Sequence, residues 1–307
     1  MSRKSQVGDV AAIKVRNTNC VRREALRRLG FVAVAAGLAG SLLVGCGTPV
    51  PDAPSNDAPV LSEPPPGRAA ATPLGHEITF AGPSGTLRGS WAAPAGTPRG
   101  AILVVHNNLG LTPHFVDLVG RYAGAGYATL CVDLTSGAST GGARTVGVAN
   151  TTEPAAAIRA AKTLAAAPRE ALVAEMRAGI TELTRRAPGV KVGAVGFGLG
   201  GSLLWHLLDA GEPRLAAAVP FYGPAPDGLD FSRSHAAVLG LYPDNDPKLN
   251  ESQDSTDVAM MQANLVHNST VYQETTVGFF DDTSPRYQGA GAAKAWRDSL
   301  DWFGKYL

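Results

Sequence analysis

The run KVGAVGFGLGGSLLWHLL, residues 191–208, decides how this chain folds. Its first part, Lys191–Gly196, is a short apolar stretch with two valines that fits a buried strand. Its last part, Ser202–Leu208, starts a helix. Between them lies Gly196-Phe197-Gly198-Leu199-Gly200-Gly201. A strand, then Gly-x-residue-x-Gly-Gly, then a helix describes a nucleophile elbow. The glycines are needed because the turn is tight and the helix packs closely on the strand. The central residue is strained, and the strain lifts its side chain above the sheet. Here that residue is Gly198, which has no side chain on which a covalent intermediate could form. Glycine also relieves the strain that a serine or cysteine would bear. Ser202, the nearest hydroxyl, falls in the first helical turn and points away from the apex. The glycine run is a poor dinucleotide fingerprint: it lies late in the chain, and no acidic residue ends a following strand at the right distance.

Working outward, His76–Phe80 and Thr86–Trp91 read as a hairpin around Pro83-Ser84-Gly85. Ala101–His106 and Tyr127–Val132 are apolar strands on either side of a helix over Pro113–Gly126, whose Phe115, Leu118, Val119 and Tyr122 share a face. Gly137–Asn150, rich in glycine and threonine, reads as a loop over the top of the sheet. Helices are expected over Glu153–Ala166, Arg169–Arg186, Asp257–Leu265 and Ala292–Tyr306, and strands over Leu215–Pro220, Ala237–Leu241 and Thr270–Glu274. Strands alternating with helices imply a mostly parallel sheet covered on both faces. Ligands of such sheets bind beyond the carboxyl ends of the strands. The residues to inspect are therefore those just after each strand: His106–Gly110, Asp133, Phe197–Gly201, Tyr222-Gly223, Asp244–Asp246 and Val277-Gly278.

The 307 residues are enough for one large domain; 45% are hydrophobic and 17% charged, which excludes a disordered chain. The formal net charge of +1 carries no footprint for nucleic acid. Cys20, Cys46 and Cys131 form neither a metal-ligand spacing nor a disulfide framework, and the six histidines show no metal-binding constellation. No cofactor or metal is expected. The amino-terminal part reads as a leader: basic residues through Arg28, then an apolar run Phe31–Val44, too short to span a membrane comfortably. It ends Leu43-Val44-Gly45-Cys46, which resembles the lipobox of bacterial lipoproteins, with Cys46 the lipidated residue. Arg22-Arg23 resembles a twin-arginine export signal. The expected organisation is an export signal over 1–46, a Pro/Ala-rich disordered tether over 47–73 and a globular domain over 74–307. The implied location is the bacterial cell envelope, on its periplasmic or extracytoplasmic side, with a lipid holding the chain to the membrane.

The domain resembles the dienelactone hydrolase family, a branch of the α/β-hydrolases. The similarity runs through Val104–Leu134, Gly196–Gly201, Pro220-Phe221-Tyr222-Gly223, Asp246, Gly278-Phe279-Phe280, Pro285-Arg286-Tyr287 and Trp302-Phe303. The resemblance implies an α/β-hydrolase fold, a mostly parallel central sheet with helices on both faces. It also implies a nucleophile–histidine–acid triad, of which only the acid, Asp246, is present. The family's elbow cysteine is Gly198 here, and its histidine is Val277. Its Glu-Asn-Arg-Gly after the first block's strand is Asn107-Asn108-Leu109-Gly110. A triad works because the acid orients a histidine that activates the nucleophile, so a lone Asp246 has nothing to orient. His106, Asn107, Asn108, Leu109, Leu199 and Tyr222 are expected around the pocket and oxyanion region. His106 is the best substitute base among the histidines, against the plainer reading of a satisfied structural residue. His114 is expected at the start of the first helix, and Asp281-Asp282 as solvated loop acids.

Three functions follow as expectations. The first is a catalytically inactive envelope protein that binds a small organic ligand or an envelope partner. The second is an active ester or lactone hydrolase using displaced residues and remnants of the oxyanion hole. The third is a structural scaffold whose pocket has closed.

Overall fold

The computed structural model describes residues 74–137 and 154–307. The expected signal and tether, and nearly all of the expected loop over the sheet, lie outside the described residues.

An eight-stranded sheet in the order β1-β2-β4-β3-β5-β6-β7-β8 forms the centre. Its first strands, β1 (His76–Gly82) and β2 (Gly85–Ala92), pair antiparallel around Pro83-Ser84, with Gly82 opposite Gly85. Strand β2 also runs antiparallel to β4 (Ala128–Asp133). Every further pair is parallel: β4 with β3 (Ala101–Val105), β3 with β5 (Val192–Phe197), and then β6 (Leu215–Phe221), β7 (Ala237–Pro243) and β8 (His267–Tyr272) in turn. Strands β3, β4 and β5 are buried along their whole length. Their continuous apolar runs are what a parallel sheet covered on both faces requires.

The helices are α1 (Pro113–Gly124), α2 (Pro154–Ala166), α3 (Arg169–Arg186), α4 (Leu199–Asp209), α5 (Pro247–Gln262) and α6 (Gly289–Tyr306). On β5, a Cβ at Gly193 would strike Phe303 of α6, whereas one at Gly196 would strike the backbone of α4. Residues three apart on a strand face opposite ways, so α6 and α4 cover opposite faces. Helix α1 joins α6 through Tyr122, whose ring lies 4.6 Å from Trp296 and 6.1 Å from Phe303. Helix α3 joins α4, and its predicted stripe Leu172, Met176, Ile180 and Leu183 is fully buried. No helix among the described residues is long and apolar enough to cross a membrane.

The predicted elements are present, most with their ends shifted by a residue or two; α4 and α6 each begin three residues early, and α5 and β8 differ as follows. Helix α5 begins at Pro247, ten residues before the expected Asp257. Its first turns, Lys248 to Asp254, are polar and carry no apolar stripe; Asp246 and Pro247 start the helix instead, as cap and first-turn residue. Strand β8 lies three residues earlier than expected at its start, because pairing with β7 sets its register.

Candidate active-site region

The elbow is intact as a backbone. Gly198 sits between β5 and α4 with φ 55° and ψ −111°, and its N–H donates to Phe221 O at 3.0 Å while its carbonyl accepts from Ser202 N at 2.9 Å. The surrounding glycines are sterically compelled. A Cβ at Gly196 would lie 2.3 Å from Gly200 O, one at Gly200 2.2 Å from Val105 O, and one at Gly201 2.7 Å from Phe221 O. Gly223, after β6, has the same constraint, 2.2 Å from Ser202 N. Gly198 differs: the nearest atom to its Cβ would be Asn107 Cβ, 3.8 Å away, an ordinary contact. A Cβ could therefore be accommodated there without a clash.

Strand β3 delivers the next group. His106 is fully buried, and both ring nitrogens are engaged: Nδ1 donates to Asn107 O at 2.7 Å and Nε2 accepts from Leu134 N at 3.1 Å. Burial holds the imidazole below its ordinary pKa and therefore neutral, with nearby Asp133 only partly opposing this. Of the two readings of His106, this is the structural one: the ring ties the end of β3 to the residue after β4. Asn107 closes the following turn, its Oδ1 accepting from Leu109 N at 2.8 Å and its carbonyl from Gly110 N. Asn107 and Leu109 are half-buried and Asn108 is exposed. Cys131 is buried in β4, where desolvation pushes its thiol well up, matching an inert core residue.

The expected acid and histidine positions stand on neighbouring loops. Asp246 caps α5, accepting from Leu249 N at 3.0 Å. Asp244 ties the two loops together: its carboxylate accepts from Glu274 N at 2.8 Å and Thr275 N at 2.9 Å. Those backbone N–H groups hold its carboxyl below the usual range. From the other side, Gln288 at the start of α6 accepts from Thr276 N and donates to Glu274 O. The half-buried Val277 follows this clamped segment and packs against the core. Tyr222 occupies a left-handed conformation, φ 36°, costly for a residue with a side chain. Its ring lies among Phe197, Phe221 and Phe279, and burial pushes its hydroxyl pKa up.

One charged cluster differs from the sequence reading. Asp282 is not a solvated loop acid. Its Oδ1 accepts from His114 Nδ1 at 2.6 Å and its Oδ2 from Arg121 Nη2 at 2.6 Å; Arg121 also bonds Asp117 at 2.6 Å. The His114 and Arg121 side chains are 1% and 0% exposed. Burial works against charge on Asp282, but the hydrogen bond from His114 and the Arg121 guanidinium outweigh it and hold the carboxyl below its usual range. The donor atoms of His114, Asp281 and Asp282 lie within 4.8 Å of one another, close enough for one metal ion. The spacing of His114, Asp117 and Arg121 along one helix was legible, since i, i+3 and i+7 share a face; their partner 161 residues away from Arg121 was not.

The family model for the dienelactone hydrolases matches residues 87–307. The chain belongs to the dienelactone hydrolase family. Among curated relatives of this dienelactone hydrolase family member, a Methylorubrum extorquens protein provisionally named a carboxymethylenebutenolidase is 27% identical over 247 residues, 75% of this chain and 80% of the relative. Proteins of the same provisional name from Salmonella typhi and Escherichia coli are 32% and 31% identical over 122 residues, and the match spans only 45% of their length. Among solved structures, a dienelactone hydrolase-like promiscuous phosphotriesterase from metagenomic libraries matches with a TM-score of 0.61 at 20% identity, covering 75% of this chain and 97% of that one. The dienelactone hydrolase of Anabaena variabilis matches with a TM-score of 0.56 at 19% identity, covering 77% and 99%. These structural likenesses establish the fold.

Proposed function

We propose that this chain is a lipid-anchored protein of the bacterial cell envelope that binds a small organic ligand at its elbow and forms no covalent acyl intermediate there. The observation that carries the reading is Gly198: the elbow keeps its backbone shape while its apex presents no nucleophile. Val277 supplies no proton acceptor, and His106 has both nitrogens committed to the backbone. What remains around the apex suits non-covalent recognition. Gly198, Leu199 and Asn107 keep part of their surface accessible, which favours a ligand over a closed scaffold. The N–H groups of the first turn of α4 have no side-chain cap and are of the kind that receive a carbonyl or carboxylate oxygen. The anchor rests on Leu43-Val44-Gly45-Cys46 alone.

The active-hydrolase reading draws on the His114–Asp282 pair, which has the geometry of a base and its orienter. The rings of Phe115 and Phe280 both touch His114 and Phe197, so aromatic packing stands between that pair and the apex. This speaks for the inactive reading.

A screen of esters and lactones against the purified full chain tests the proposal. Background rates are expected throughout, with weak turnover appearing in Gly198→Cys combined with Val277→His. Robust turnover by the unmodified chain, lost in His114→Gln or Asp246→Asn variants that remain folded, would overturn it. Radiolabelling the chain with a fatty acid in a bacterial host, with Cys46→Ser as control, tests the anchor.

A further inference from the structure

The two edges of the sheet are built differently. Strand β1 carries a charge at its edge, Glu77, paired with Arg88 at 3.7 Å. Strand β8 holds no Lys, Arg, Asp, Glu or Pro, and among the described strands it pairs with β7 alone. Natural edges are blunted by charge, proline or bulges, and an edge without them is a template for another strand. Val238 N donates to Val266 O at 2.9 Å, which turns the alternate residues Asn268, Thr270 and Tyr272 toward β7. The backbone N–H and C=O groups of His267, Ser269 and Val271 therefore point away from the sheet, and no described residue bonds them.

The flanks of this edge have a definite chemistry. On one side, Asp257 of α5 accepts from the Ser269 hydroxyl at 2.6 Å. Val271, alternate to Ser269, stands on that side too. Asp254 and Met261, three residues before Asp257 and four after it, share its side of the helix, and both are exposed. Of the six large apolar side chains exposed among the described residues, four belong to this region: Val258 and Met261 on α5, Val266 and Val271 at the two ends of β8. On the other side, the Tyr272 hydroxyl donates to Asp298 of α6 at 2.7 Å, so Asn268 and Thr270 face α6 as well. A groove of about 390 Å³ runs there, between Leu239, Asn268 and Thr270 and the α6 residues Asp298 and Trp302 among others. The Asn268 and Thr270 side chains hold no hydrogen bond among the described residues.

We propose that the β8 edge docks an extended segment of a partner protein as a further strand, one that carries apolar and basic side chains on its α5 side and small polar ones on its α6 side. Its backbone bonds the outward groups of His267, Ser269 and Val271, as in other cases of strand addition. Its apolar side chains cover Val271 and Met261, its basic side chain meets Asp254 and Asp257, and its polar ones lie over the groove. A second copy of this chain is the competing occupant, and charge decides between them. Pairing β8 with itself about a two-fold axis at Ser269 would bring both copies of Asp257 to the axis, since each is held on its own Ser269. A basic strand turns the same carboxylate from a repulsive neighbour into an attractive one. The inference is independent of what the elbow does.

The test is fluorescence anisotropy of a labelled heptapeptide added to the full chain. The peptide has threonine at alternate places with valine, lysine and valine between, so either strand direction reads alike. Saturable binding is expected, weakened by salt, with amide NMR shifts centred on His267, Ser269 and Val271. A peptide with glutamate for lysine should bind about tenfold more weakly, and Asp254→Lys should weaken the lysine peptide to the same degree. Val271→Pro removes one outward N–H and leaves the ladder to β7 whole, and it should weaken the peptide about tenfold. If that variant does not fold, peptides N-methylated at one or the other set of alternate residues give the same reading on the unmodified chain, since one set must lose binding. Absence of saturation, equal affinity for the glutamate and lysine peptides, or equal affinity for both methylated sets and the parent would each overturn the proposal. So would a dimer in sedimentation that Val271→Pro dissolves, which assigns the edge to a second copy.

Discussion

Individual glycines in this fold do different jobs, and substitution separates them. At Gly200 an added methyl group would meet a backbone carbonyl at 2.2 Å, which cannot yield without separating α4 from β3. Gly200→Ala should therefore cost about 3 kcal/mol or more. Gly198→Ala meets only an ordinary contact with Asn107 Cβ and bears chiefly the conformational cost of its positive φ, about 1–3 kcal/mol. Urea unfolding of the two variants checks the order. The His114–Asp282 pair makes a prediction in pH. The Asp282 carboxyl is depressed by folding, so its contribution is complete above the unfolded carboxylate value and disappears as pH falls through the folded one. The stability advantage of the natural chain over Asp282→Asn should be constant near neutrality and shrink below about pH 4, as followed by unfolding across acid buffers.

The loops that follow β7 and β8 are held as elements by their neighbours. Asp246 serves as the cap of α5, and Asp246→Ala should lower stability by about 1 kcal/mol, read from the denaturation midpoint. The segment Glu274–Thr276 is clamped from both sides, by the Asp244 carboxylate and the Gln288 amide. Removing either side chain should speed amide exchange at Glu274, Thr275 and Thr276 while the β5 amides stay protected. A reversed pattern would mean that these contacts do not govern the loop. Side-chain bonds to the backbone of this segment hold its course, and none of the clamping bonds passes through Val277.

At the scale of the whole molecule, every core residue among the described residues lies between Phe80 and Phe303, and the one cysteine among them is a buried free thiol. A 74–307 fragment should melt within a few degrees of the full chain, with or without reductant, by calorimetry. The alternation of strands and helices was legible because buried parallel strands are unbroken apolar runs, as in β3 and β5, and because helix stripes such as Leu172 to Leu183 repeat at helical spacing. The elbow was legible because its glycines are forced by contact. What escaped the sequence depends on distance along the chain. Asp282 meets His114 and Arg121 only once β8 has been laid against β7, and nothing near Asp282 announces that burial. His106 could be narrowed to two roles from its place on β3, but only Leu134 N–H on its second nitrogen chooses between them.

The room for a Cβ at Gly198 bears on what selection could do with this position. Glycine codons ending in a pyrimidine lie one base change from serine and one from cysteine. The neighbouring glycines already accommodate the turn that such a residue would occupy, so a nucleophilic side chain could be introduced there by a single mutation. Placing a histidine at Val277 takes at least two base changes, since valine and histidine codons differ at both of their first two bases. A lineage acquiring acyl-transfer chemistry at this elbow would thus be expected to pass through a form that can be acylated yet turns over slowly, a suicide trap before it is an enzyme.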